Sequence, residues 1–107
     1  MHVVWGNMEN LVDIGVCKAI GLGNFPAALL NDLLGYARII PEVNQVEFHP
    51  YNASVKLQAF HDANNITTQG FGVLGGVEYA HITPDKTPLA QHELVTALAE
   101  KYTKTPY

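Results

Sequence analysis

The chain has 107 residues, 48% of them apolar and 15% charged, with a formal net charge of −4 and a pI near 5.6. That length allows at most one small domain, able to bury roughly two-thirds of its surface on folding. The acidic balance and the lack of a basic run exclude a nucleic-acid footprint, the single cysteine (Cys17) excludes an internal disulfide, and no apolar run approaches a membrane span. The start, Met1 to Trp5, is too short and too poor in basic residues for a signal peptide, so a cytoplasmic protein is expected.

Taken in chain order, residues 4–13 predict a helix with Trp5, Met8, Leu11 and Val12 on one stripe and Gly15 as its stop. Residues 16–20 predict a short strand, ending in a turn over Gly21, Leu22, Gly23 and Asn24 where backbone can approach a ligand closely. Pro26 suits the first position of a second helix, whose apolar stripe is Leu29, Leu30, Leu33, Leu34 and Ala37. A second strand follows over residues 43–48. Alternation places Gln45 and Glu47 on one face and Val46 and Phe48 on the other, packed under helices. Gln and Glu are poor strand formers, so their presence points to an interior that binds something polar or holds a hydrogen-bond network.

Asn52 or Ser54 can cap a third helix with Leu57, Phe60 and His61 on its buried side, and Asn64-Asn65 suits a left-handed helix end. Residues 66–72 predict a third strand, 75–87 a loop broken by Pro84, and Leu94, Val95, Leu98 and Tyr102 a last amphipathic helix. Strands that alternate with amphipathic helices imply parallel β/α units. Thr105-Pro106 looks like a helix start, yet Tyr107 ends the sequence, which predicts a truncated chain.

The chemistry-bearing signals are sparse. Gly70-Phe71-Gly72-Val73-Leu74-Gly75 matches G-x-G-x-x-G, but that fingerprint needs a helix to open there, and a loop is expected instead. A glycine-loosened strand end that touches a ligand through its backbone is the better reading. Ser54 is the only serine and sits at a helix start, which argues against serine catalysis. Cys17 reads as an inert thiol. The five histidines lack metal-ligand spacing, so no metal site is expected. His49, before Pro50, reads as a hydrogen-bonded turn residue, and Glu47 as part of a structural network. The best candidate site is the set of strand ends at Gly23-Asn24, Gln45 and Phe71-Gly72, because parallel β/α folds collect ligands there.

Those strand ends carry a resemblance. Met8-Glu9, Leu11-Val12-Asp13 with Gly15, Lys18-Ala19-Ile20-Gly21 with Asn24-Phe25, Val43-Asn44-Gln45-Val46-Glu47 with His49-Pro50-Tyr51, Leu74-Gly75, and Lys101-Tyr102 with Lys104-Thr105-Pro106 occur in the order and spacing of the aldo-keto reductases. The chain resembles this NAD(P)H-dependent (β/α)8 barrel family over nearly its whole length. The resemblance implies the following. Residues 1–107 are one fragment of a TIM barrel domain, an α/β fold here with about three of eight parallel strands and flanking helices. The activity is oxidoreduction, a carbonyl group reduced by NADPH, with a nicotinamide cofactor and a small carbonyl substrate as partners. Asn24 and Gln45 bind the nicotinamide carboxamide, Phe71 stacks on the ring, and Gly72, Val73 and Leu74 meet the pyrophosphate. Gly23 and Gly72 stand where the family has serines; losing the second would weaken phosphate binding by roughly 1.5–3 kcal/mol.

The family's catalytic Asp, Tyr, Lys and His, and its basic 2′-phosphate segment, have no counterpart here, so no catalytic residue is assigned and the chain is expected to be inactive alone. A non-catalytic interaction module or truncated remnant of the family is the alternative, and an independent flavodoxin-like domain a third reading. Three parallel strands leave open sheet edges, so self-association is expected.

Overall fold

A computed structural model describes residues 1–75 and 87–107. Helix α1 (His2–Asp13) leads into strand β1 (Gly21–Gly23), helix α2 (Ala27–Leu34), strand β2 (Val43–Glu47), helix α3 (Val55–Ala63) and strand β3 (Thr67–Phe71). A 3-10 turn at Leu89–Gln91 then precedes helix α4 (Glu93–Tyr102). The three strands form one parallel sheet in the order β1-β2-β3. The loop expected over 75–87 falls almost entirely outside the described residues. No helix among the described residues is long and apolar enough to cross a membrane.

Two helix ends follow the sequence closely. Gly15 adopts φ +75°, its N–H donates to Val12 O at 2.9 Å, and Val16 N–H donates to Leu11 O at 2.9 Å. This is a Schellman closure, and a left-handed glycine makes it without steric cost. Asn65 plays the same part after α3 at φ +55°, with Ile66 N–H on His61 O at 2.9 Å.

The first strand lies later than expected. Residues 16–20 are apolar enough to be a strand, but the amides of Val16 and Cys17 both donate to Leu11 O at the end of α1. Pairing begins only at Gly21, which is in register with Val43, followed by Leu22 with Asn44 and Gly23 with Gln45. The stretch expected to be a turn is therefore the strand. Gly21 is required for the approach, because a Cβ there would lie 2.7 Å from Val43 O. Two smaller corrections concern helix starts. Pro26 is the N-cap of α2 rather than its first residue. Ser54 occupies the N-cap of α3 in a left-handed conformation, but its hydroxyl donates to Asn52 Oδ1 at 3.1 Å and caps no helix amide.

The core lies between the helices and one face of the sheet. Leu30 and Leu33 of α2 are fully buried, and Trp5, Ile20 and Leu33 form a cluster joined by Met8, Val12, Leu22, Tyr36 and Ile39. On α1 the buried positions are Trp5 and Glu9, while Leu11 is partly exposed. Glu9 tolerates that position because Oε1 accepts from Arg38 N at 2.7 Å and Ile39 N at 2.9 Å. Those bonds, the Ile39 N–H first, hold its carboxyl below the ordinary 4.5 against the opposing effect of burial. The stripe on α4 is weakly covered: Ala99 is buried, but Leu94, Leu98 and Tyr102 are exposed.

Candidate functional site

Alternation along β2 sorts its residues onto two faces. Asn44 and Val46 are buried toward the helices, and Gln45 is exposed on the opposite, open face. The parallel register carries that division across the sheet. Gly23, Gln45 and Gln69 form one row on the open face, and Glu47 pairs with Phe71 further along it. Gln45 and Phe71 thus stand on one surface near the carboxyl ends of their strands. Asn24 follows β1 immediately, is exposed, and adopts φ +59° with its N–H donating to Gln45 O at 2.8 Å.

The segment after β3 is a tight turn. Gly75 N–H donates to Gly72 O at 2.9 Å, and Gly72 has φ +60°. A Cβ at Gly72 would sit 3.6 Å from Glu47 Cγ, so the space is there, but the backbone conformation would strain any L side chain. Val73 and Leu74 are exposed on this turn. The six expected site residues therefore gather at one end of the sheet. This end of the sheet thus carries an exposed amide on the strand, a second just past a neighbouring strand end, and an aromatic ring on the same face as the first.

His49 and Glu47 form the hydrogen-bonded unit expected of a turn. His49 Nε2 lies 2.8 Å from Glu47 Oε1, and Tyr51 N–H donates to His49 Nδ1 at 3.2 Å. Because Nδ1 accepts, Nε2 carries the proton given to the carboxylate. Among the described residues no group of His, Cys, Asp and Glu could hold a metal ion.

Sequence reasoning missed the polar network on the other face. Asn44 is fully buried; its Oδ1 accepts from Phe25 N at 3.3 Å, and its Nδ2 donates to Phe25 O at 2.8 Å. Nδ2 also meets His61 Nε2 at 3.0 Å, and His61 Nδ1 meets Thr68 Oγ1 at 2.7 Å. The available signal was phase: Asn44 falls in step with Val46, and His61 lies on the apolar side of α3. Gln69 was missed because it was read only as part of a strand, without its register to Gln45.

Burial holds His61 below the ordinary imidazole value of 6.5, with the charge of Asp62 partly opposing it. A proton on Nε2 would also face the Asn44 amide donor. The unfolded chain therefore binds more protons than the folded one below about pH 6.5, and stability is fully present above that value and lost as pH falls. Glu9, also depressed, adds a second loss below about pH 4.5. The thermal midpoint is expected to drop from pH 7.5 to 5.5, and His61→Gln is expected to flatten that drop. A wild-type midpoint constant over this range would refute the assignment.

A family model described as the Aldo/keto reductase family matches residues 1–103. The aldo-keto reductase family 1 member A1-A of Danio rerio is 40% identical over 102 residues, covering 95% of this chain and 32% of that protein. The NAD(P)H-dependent D-xylose reductase of Pachysolen tannophilus is 41% identical over 107 residues, covering 96% and 34%. A crystal structure of Gox0644 in its apo form superposes with a TM-score of 0.80 at 29% identity, over 95% of this chain and 34% of that one. This chain thus spans about a third of the length of the curated relatives it matches. The flavodoxin-like alternative falls with these matches. Three parallel strands with flanking helices, an open sheet and this set of relatives describe a segment of a (β/α) barrel, and the chain belongs to the aldo/keto reductase family.

Proposed function

We propose that residues 1–107 are part of a barrel domain and form the nicotinamide-facing portion of the cofactor site of an NAD(P)H-dependent carbonyl reductase. The observation that carries this reading is the convergence of Asn24, Gln45 and Phe71 at one end of the sheet, with Gln45 and Phe71 on its open face. Relatives whose names specify NAD(P)H dependence and D-xylose reduction support it. The cofactor, when bound, supplies hydride to a small carbonyl substrate. The roles of this chain would be to bind and orient: Asn24 and Gln45 would hydrogen-bond the carboxamide, Phe71 would cover the ring, and the turn over Gly72, Val73 and Leu74 would meet the pyrophosphate. Among the described residues no side chain is assigned the part of the proton donor, so binding without turnover is expected. β1 and β3 each pair only with β2 among the described residues, leaving open edges that favour association with further strands.

Titration of the chain with NADPH, followed by nicotinamide fluorescence, tests the site. Gln45 is exposed, so Gln45→Ala is expected to leave the fold intact while weakening NADPH roughly tenfold, the value of one lost well-placed hydrogen bond. Equal affinity in the two proteins would remove Gln45 from the site. Oxidation of NADPH with an aldehyde above a no-protein control would refute the expected lack of turnover.

A further inference from the structure

β2 reaches the turn after β1 twice, through the backbone carbonyl of Gln45 and through the buried side chain of Asn44. The backbone of Gln45 accepts the N–H of Asn24 at 2.8 Å. From the buried face, Asn44 holds both polar groups of the next residue, accepting from Phe25 N and donating to Phe25 O. Asn24 stands between these grips with φ +59°, a left-handed conformation that asparagine enters more readily than most L residues but that remains less favoured than the right-handed one. Three hydrogen bonds from β2 hold the turn there, one to the Asn24 N–H and two to the backbone of Phe25.

The orientation of Asn44 is fixed by Phe25: its oxygen faces an N–H and its nitrogen a carbonyl. The remaining Nδ2 proton therefore points to His61 Nε2, which must accept it. The ring proton of neutral His61 then sits on Nδ1 and is donated to Thr68 Oγ1. Asn44 and His61 are fully buried, so no water competes at the contact between them, while Phe25 and Thr68 at the two ends are half-buried. One chain of hydrogen bonds thus runs from β3 through α3 and β2 to the turn after β1.

We propose that Asn44, His61 and Thr68 are positioning residues for the nicotinamide site, forming a relay centred on the buried Asn44–His61 contact that keeps Asn24 in its left-handed conformation at the end of β1. The proposal rests on the reading of Asn24 as a cofactor ligand. A side chain with a merely structural role would lower overall stability without selectively loosening this turn.

The test uses the 15N-labelled chain with three readouts: the His61 tautomer from ring nitrogen shifts, hydrogen exchange at the Asn24 and Phe25 amides, and NADPH affinity. Wild type is expected to show His61 protonated on Nδ1, although Nε2 is the usual site in water. Thr68→Val, close in shape, removes only the far acceptor. It is expected to shift the tautomer and to speed exchange at Phe25 by roughly tenfold, with exchange at Gly15 unchanged. His61→Ala should do the same at Phe25, and His61→Gln, which retains a donor and an acceptor, should restore much of the protection. If His61→Ala does not fold, Thr68→Val and His61→Gln decide.

An Nε2-protonated His61 in wild type, or unchanged Phe25 exchange in folded Thr68→Val, would overturn the relay. If Gln45→Ala weakens NADPH but the relay variants do not, the positioning role fails and the cofactor reading stands. If wild type shows the relay signatures but does not bind NADPH, the cofactor reading is overturned and with it the role toward nicotinamide.

Discussion

Replacing Trp5 with alanine is expected to cost about 3–5 kcal/mol, the usual range for removing a buried tryptophan. Trp5 is 2% exposed and packs with Ile20 and Leu33, joining α1 to the segment before β1 and to α2. Its indole N–H donates to Ile39 O at 3.1 Å, so truncation also strips a partner from the connection that leads into β2. Glu9, one turn on, binds the amides of Arg38 and Ile39, and both contacts depend on α1 staying seated. A 107-residue chain is stabilised by roughly 5–15 kcal/mol in total, and one with open sheet edges belongs near the lower end. Trp5→Ala should therefore lose most of its cooperative unfolding transition, as read by circular dichroism. Val3→Ala is the control: Val3 is on the same helix but 78% exposed, and should shift stability by less than about 0.5 kcal/mol. Similar transitions in Trp5→Ala and Val3→Ala would mean that α1 is not docked as described.

The same residues show how far the sequence can be read. Helix ends at Gly15 and Asn65 were legible because a left-handed closure has few chemical solutions, and glycine or asparagine at the end of an apolar stripe announces it. The burial of Leu30 and Leu33 was legible for a related reason: helical spacing gathers them on one side whatever the partner. The position of β1 was not. An apolar run from Val16 to Ile20 satisfies strand propensity, but pairing depends on where β2 lies, and the α1 closure had already engaged the amides of Val16 and Cys17. The burial of Glu9 was not legible, because the N–H groups that let it replace an apolar residue come from about thirty positions away. The facing of Gln45 followed from alternation alone. The same alternation put Asn44 under the helices, but its partners Phe25, His61 and Thr68 lie on three other segments, and only the folded chain brings them together.

That division within β2 leads to the second large effect. Asn44→Ala is expected to destabilise the chain by about 3 kcal/mol, because it leaves His61 Nε2 without its partner in a buried site and the Phe25 N–H and carbonyl without theirs in a half-buried one, at roughly 1–3 kcal/mol for each unsatisfied group and toward the low end for the last two. Gln45→Ala, one residue along the same strand, should change stability by less than about 0.5 kcal/mol, since its side chain is exposed on the open face. Urea unfolding of both variants measures the contrast. A single-residue step along a strand turns the side chain to the other face, so the two substitutions sample opposite sides of the sheet with little change in side-chain chemistry. Equal midpoints for the two would mean that Asn44 does not hold the turn after β1. Loss confined to Asn44→Ala would show that the buried face of β2 supports the turn carrying Asn24, while its open face is free to serve a ligand.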